Sequence, residues 1–259
     1  MARTYLITGG AGGIGKATAE LLTSRGHKAI TADIANADIN ADLTTVEGRQ
    51  QLIEQATELS GGTLDGVVAN AGMQAPTPKT AQVNYFGAVA TLEGLRPLLE
   101  KSDAPRAVVT ASIASLQPAD DKLVDAMLAG DEDATVKRGQ ELVEAGPEQA
   151  YLNYSSSKQA IARWVRKNAI TENWAGKGIA LNAIAPAVVI SPMMEQLRNS
   201  EEGRAQLARV PMPLNGWMPA ESAANLIAWL TSEENTHLCG QVMFIDGGFD
   251  ATVRGDKVW

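Results

Sequence analysis

"LITGGAGGIGKATAE", residues Leu6–Glu20, packs five glycines between an apolar run and a helix-forming run. Its reading decides the fold. A phosphate loop, G-x-x-x-x-G-K-[ST], is almost matched by Gly10, Gly15 and Lys16. It fails at Ala17, where a hydroxyl must hold magnesium, and Thr18 comes one residue late. The dinucleotide pattern G-x-G-x-x-G is fully matched by Gly10, Gly12 and Gly15. Its context agrees: "TYLIT" (4–8) reads as a strand, 13–25 as a helix ended by Gly26, and "KAITAD" (28–33) as a second strand ending in Asp33. Glycines let backbone approach a pyrophosphate at the positive end of the helix. Asp33 can accept hydrogen bonds from both adenosine ribose hydroxyls. It would repel a 2′-phosphate, and neither Gly10 nor Ile34 supplies a compensating cation. NAD(H) is therefore expected over NADP(H).

Outward from this unit, short apolar runs alternate with stretches of helical period. Helix 45–59 stops at Gly61-Gly62, and "LDGVVANAG" reads as a strand before one long helix, "AQVNYFGAVATLEGLRPLLE". "RAVVTASIAS", "GIALNAIAP" and "GQVMFIDGG" are further strands, with helices around 161–175 and 221–232 between them. Strands apolar on both faces suit a parallel sheet covered on each side. The alternation predicts an α/β chain with a doubly wound, single-domain Rossmann fold over 1–259. Gln117 to Gln149 breaks the rhythm with nine acidic and three basic residues, a net charge of −6. Leu123, Val124, Met127 and Leu128 recur at helical spacing, as do Val136, Leu142 and Val143, so a small helical insertion is expected rather than a disordered tail.

With 22 basic and 30 acidic residues the chain carries a formal charge of −8, which argues against nucleic acid as a partner. The single cysteine, Cys239, forms no internal disulfide, and no Cys/His cluster has metal-site spacing. No leader pattern and no bilayer-spanning apolar run is found, so a cytoplasmic protein without membrane contact is expected.

A hydride-transferring site needs a proton handler. The two histidines, His27 and His237, lie in no catalytic context. "YSSSK" instead puts Tyr154 and Lys158 one helical turn apart on the same face. "TASIAS" supplies Ser112 at the C-terminal end of a strand, the edge where doubly wound sheets bind ligands. A free phenol has a pKa of about 10, too high for base catalysis at neutral pH. The Lys158 ammonium, with a cationic nicotinamide ring, is expected to lower it. Ser112 would hydrogen-bond the substrate oxygen as charge develops there.

Thr8-Gly9-x-x-x-Gly13-x-Gly15, with these residues, resembles the compact branch of the short-chain dehydrogenase/reductase family, and the likeness runs over the whole chain. The resemblance implies that Ser112, Tyr154 and Lys158 are the catalytic serine, tyrosine and lysine. It makes Asn84 of "VNYFG" the asparagine that holds a water of the proton relay. It also implies cofactor contacts from Gly9, Gly13, Ile14, Gly15, Asp33, Asp42, Leu43, Asn70, Ala71, Gly72, Tyr154, Lys158, Pro186, Val189 and Ser191. The "NAG" residues (70–72) would steady the sheet, Asp42-Leu43 would meet adenine, and Ser191 would meet the nicotinamide carboxamide. "IDGG" (245–248) is similar to the family's closing strand and turn. Two departures stand out: Ala187 follows Pro186 where the family usually has glycine, and Ser191 replaces a common threonine.

The family's substrate lid corresponds to about 187–218. Its Met193, Met194, Met212, Trp217 and Met218 form either an adaptable apolar surface or core beneath the lid. With Ser112 and Tyr154, residues Met193, Met194 and Trp217 are the candidate substrate contacts. Within the family the chain is most similar to bacterial 3α-hydroxysteroid dehydrogenase/carbonyl reductases, through the acidic insertion, "ADLTTVEGR", "VNYFGA" and "DGGFDATVRG". This implies a hydrophobic, cyclic secondary alcohol or ketone. A cis-diol or other small cyclic alcohol, and an NAD-binding sensor or scaffold without turnover, remain as alternatives. The insertion would obstruct a tetramer contact on the Tyr154 helix, so a homodimer is expected, with a tetramer the other possibility.

Overall fold

Each apolar run becomes a strand whose alternate side chains enter two different cores. The computed structural model describes residues 2–190, 201 and 210–257. Strands β1 (Thr4–Thr8), β2 (Lys28–Asp33), β3 (Ile39–Asn40), β4 (Gly66–Ala69), β5 (Arg106–Thr110), β6 (Ala180–Pro186) and β7 (Val242–Ile245) form one sheet. Their spatial order is β3-β2-β1-β4-β5-β6-β7, and every pair is parallel. Leu6, Val67, Val109 and Leu181 face one core, with α2 (Val46–Ser60), α4 (Ala88–Leu99) and α7 (Pro147–Asn168) packed over it. Ile7, Val68, Val108 and Ile184 face the other, covered by α1 (Gly13–Ser24) and α8 (Ala220–Leu230). The period of two explains the sorting. A fully buried Leu or Ile contributes about 1.5–3 kcal/mol over an exposed one.

The chain runs outward from β1 to β3, then returns to β4 on the other side of β1. This switch opens a crevice at the carboxyl ends of β1 and β4. The Thr8 hydroxyl spans it, accepting the Asn70 and Ala71 amides, each at 3.0 Å. Gly9 (φ +69°) and Gly13 (φ +50°) take the left-handed turn that α1 needs to start beneath it. β3 has only two residues and no apolar alternation, and the sequence reading does not contain it.

The long helix expected over residues 81–100 is not continuous. A short α3 (Lys79–Ala81) leads into a π-helical turn, Gln82–Gly87, before α4 begins. The apolar pattern runs through the turn unbroken, so periodicity does not reveal the shifted hydrogen bonding. The acidic segment folds as two amphipathic helices, α5 (Asp121–Ala129) and α6 (Glu132–Glu144), capped by the Asp120 and Asp131 carboxylates. Both pack on α7. Ser156 accepts the Asp120 amide at 2.9 Å, Ser155 donates to the Pro118 carbonyl at 2.7 Å, and Asn153 donates to the Gly139 carbonyl at 3.1 Å. A methyl on Gly139 would lie 2.4 Å from the Asn153 Oδ1, so α6 and α7 touch backbone to side chain.

Candidate active site

The crevice is a cleft of about 750 Å³ that runs from Asp33 at one end to Tyr154 at the other. Gly9, Gly13, Ile14, Asp33, Asp42, Leu43, Asn70, Ala71, Gly72, Ser112, Tyr154, Lys158, Pro186, Ala187 and Val189 all line it. Residues drawn from across the sequence thus meet in one space.

At the nucleotide end, an added Cβ on Gly12 or Gly13 would meet nothing within 4 Å, so the loop presents open backbone to the cleft. Gly15 works differently from expectation. Its Cβ would fall 2.0 Å from the Gly9 carbonyl oxygen, and it is not on the cleft wall. Its task is close packing of α1 under the loop. Asp33 is fixed from two sides, its Oδ2 accepting the Ala11 amide at 3.0 Å and its Oδ1 the Ile34 amide at 2.7 Å. The Asp42 carboxyl sits below its ordinary range, chiefly because the Thr44 hydroxyl and amide donate to it at 2.7 and 2.9 Å.

At the other end, α7 carries Tyr154 and Lys158 on one face. Ser112 closes β5 with extended backbone. Its Oγ both caps the short 3₁₀ turn Ile113–Leu116, accepting the Ala114 amide at 3.2 Å, and hydrogen-bonds the Tyr154 hydroxyl. The capping and catalytic readings of this serine therefore coexist. Lys158 is only 5% exposed. Its Nζ donates to the Thr110 carbonyl at 2.9 Å and lies 5.9 Å from the Tyr154 ring centroid. Burial lowers the lysine pKa to about 8. Burial also pushes the Tyr154 phenol up, and only the Ser112 hydrogen bond opposes it. This corrects the expectation that Lys158, by spacing alone, makes the phenol acidic. A pair of helical neighbours carries no information about how dry its surroundings are.

Asn84 is buried within the π-helical turn and does not reach the cleft wall. Its Oδ1 accepts the Met73 amide at 2.8 Å, and its Nδ2 donates to the Met73 carbonyl at 2.9 Å and the Ser157 Oγ at 3.0 Å. An added Cβ on Gly72 would stand 3.0 Å from Asn84 Oδ1 and 3.4 Å from Lys158 Nζ, so the "NAG" turn, the asparagine and the lysine converge there. Ser191, Met193 and Met194 lie outside the described residues, as does most of the expected lid. Met212 and Met218 are 8% and 7% exposed and belong to the core with Ile7 and Ile227, which answers the lid-or-core question for these two. Trp217 is half-buried against the same core and does not line the cleft.

The sequence reading missed Thr44, Met73, Gln74, Lys79 and Thr110 on the cleft wall. Thr110, at the end of β5, was available from the strand-end rule that selected Ser112. Met73 and Gln74 follow "NAG" directly. Lys79 carries no sequence signal.

Residues 3–124 match the family described as short chain dehydrogenase, and residues 141–250 the family described as Enoyl-(Acyl carrier protein) reductase. The chain is 35% identical over 255 residues to a 3-alpha-hydroxysteroid dehydrogenase/carbonyl reductase of Comamonas testosteroni, covering 96% of this chain and 97% of that one. It belongs to the short-chain dehydrogenase/reductase family. As an oxidoreductase of this family it is also 28% identical over 265 residues to a cis-4-hydroxycyclohexanecarboxylate dehydrogenase of Sinomonas cyclohexanicum, covering 96% and 97% of the two chains. Among solved structures it resembles the 3-alpha-hydroxysteroid dehydrogenase from Pseudomonas sp. B-0831 complexed with NADH, with a TM-score of 0.89 and 38% identity over 99% of this chain and 100% of that one.

Proposed function

We propose that this chain, working as one dinucleotide-binding and catalytic domain, is an NAD(H)-dependent dehydrogenase that interconverts a secondary alcohol and a ketone on a hydrophobic, cyclic substrate. One observation carries the reading: the Ser112–Tyr154 hydrogen bond beside buried Lys158 opens into the same cleft as the doubly held Asp33. The residues fit the dinucleotide. Gly9, Gly13 and Ile14 would hold the pyrophosphate, Asp33 the adenosine ribose, Asp42 and Leu43 the adenine, and Pro186 and Val189 the nicotinamide side. When bound, the nicotinamide ring supplies the hydride acceptor or donor.

The chain's own residues handle the proton. Tyr154 takes the alcohol proton at its hydroxyl during oxidation and returns it to the carbonyl oxygen during reduction. Ser112 orients that oxygen and stabilises charge on it. Lys158, held by the Thr110 carbonyl, brings a positive charge toward the phenolate as it forms. Asn84 holds the wall beneath the lysine and, in this reading, a relay water. Ser191, Met193, Met194 and Trp217 complete the substrate side.

The names of the two 3-alpha-hydroxysteroid dehydrogenases support a steroid-sized substrate. A smaller cyclic alcohol is the second reading, supported by the cis-4-hydroxycyclohexanecarboxylate relative. The test follows NADH absorbance with a 3-keto steroid, a substituted cyclohexanone and a cis-dihydrodiol. Turnover of the steroid supports the first reading, and turnover of only the smaller rings supports the second. Absence of NADH binding overturns both.

For assembly we infer a homodimer, because α5 and α6 cover the start of α7. A light-scattering mass near four chains would refute it. No helix among the described residues is long and apolar enough to cross a membrane. We place the enzyme in the cytoplasm.

A further inference from the structure

The helical insertion reaches the far end of the cleft from Tyr154, and it does so through one ion pair. Arg49, on the first turns of α2, is 8% exposed. Its guanidinium meets Glu132 of α6 in a bidentate pair, Nη1 to Oε2 and Nη2 to Oε1, both 2.7 Å. The same guanidinium has a second side. Nε donates to the Leu43 carbonyl at 2.8 Å, and Nη2 to the Thr44 carbonyl at 3.4 Å. Leu43 and Thr44 form the cleft wall beside Asp42. Gln82, in the π-helical turn, donates to Glu132 Oε1 at 3.0 Å and to the Thr44 carbonyl at 3.4 Å, and the Phe86 ring lies 5.8 Å from the Arg49 guanidinium carbon. Backbone packing closes the arrangement. A Cβ on Gly48 would fall 2.0 Å from the Asp42 carbonyl oxygen, and one on Gly87 would fall 3.0 Å from the Leu43 Cβ.

We propose that Arg49 and Glu132 are a positioning pair, through which the insertion sets the Asp42–Thr44 wall against the nucleoside end of the cofactor. Neither side chain lines the cleft, so they act through the two carbonyls they fix. A guanidinium satisfied on both sides holds that turn in one orientation. With Glu132 neutralised, the arginine is left with an unmatched charge in a dry place and can leave the carbonyls. The insertion then has a local task beyond shaping the outer surface of α7. This inference rests on the dinucleotide reading of the cleft.

The test is NADH titration by fluorescence on the full chain and on Glu132→Gln, which keeps size and hydrogen bonding but removes charge. The expected result is a Kd raised about tenfold, equivalent to about 1.4 kcal/mol, with kcat at saturating NADH within about twofold. Rates with reduced nicotinamide mononucleotide, which has no adenosine, should be unchanged, and Glu132→Asp should recover part of the affinity. A purely structural role would instead lower kcat, Tm and mononucleotide turnover together, and that result overturns the proposal. An unchanged NADH Kd also overturns it. Failure of the unaltered chain to bind NADH removes the dinucleotide reading itself, which is a different outcome from a variant that binds as well as the parent. Should Glu132→Gln not fold, the same comparison is read from Glu132→Asp alone, with a several-fold rise in Kd expected and an unchanged Kd overturning the proposal.

Discussion

The two ends of the cleft are built from different materials. At the Asp33 end the surface is backbone and small side chains, and its one carboxylate there is held by two amides before any ligand arrives. At the Tyr154 end the surface consists of titratable side chains in a dry setting, with Lys158 lowered to about 8 and Tyr154 pushed up. The first end is ready by geometry. The second is electrostatically unfavourable on its own and depends on charge brought by what binds. Recognition can be finished in the folded chain, while acid–base work needs groups that titrate near the working pH.

The sharpest way to break this division is Tyr154→Phe. Removing the hydroxyl should lower kcat by about 10³-fold or more while NADH affinity by titration stays within about twofold. A large loss of cofactor affinity would show that the two ends are not separate.

Lys158→Met tests the cost of the catalytic end. Its lysine pKa falls from 10.5 to about 8 on folding. A lysine with a lowered folded pKa binds fewer protons folded than unfolded, so stability rises with pH between those values. The penalty is fully present below about pH 8 and is relieved toward pH 10.5. Urea unfolding should find the methionine variant inactive but about 2 kcal/mol more stable at pH 7, after allowing for the lost bond to Thr110. The gap should narrow as the pH rises through that window. A gap independent of pH would assign the effect to packing.

Asp33→Ala has the smallest expected effect and tests the geometric end. The ratio of kcat/KM for NADH over NADPH should fall about tenfold, through lost ribose hydrogen bonds and lost repulsion of a 2′-phosphate. An unchanged ratio would move cofactor choice to another residue, with Lys79 the nearest cation on the wall.

The two ends also differ in how far they could be read from the chain. The turn from β1 into α1 and the Asp33 carboxylate are local, and residues 4–33 contain every part. Tyr154, Lys158 and Ser112 were found because helix spacing and strand ends are local too. Their pKa values were not, since burial of Lys158 depends on Thr110 and Gly72, far away in sequence. The same limit hid the Arg49–Glu132 pair, whose members stand 83 positions apart. The lost continuity of the helix before α4 had another cause. A π turn changes which carbonyl each amide meets, and the side-chain pattern hardly registers it.

That turn constrains how the chain can vary. Six residues, Gln82–Gly87, occupy the widened loop, and the buried row Leu92, Leu95 and Leu99 follows downstream. Deleting any one residue would restore ordinary winding, but it would also spin everything after it by about 100°. The leucine row would then leave the sheet, and Asn84 would lose its alignment with Met73 and Ser157. Length across this segment is therefore quantised: a descendant of this enzyme can exchange letters there far more readily than it can lose one.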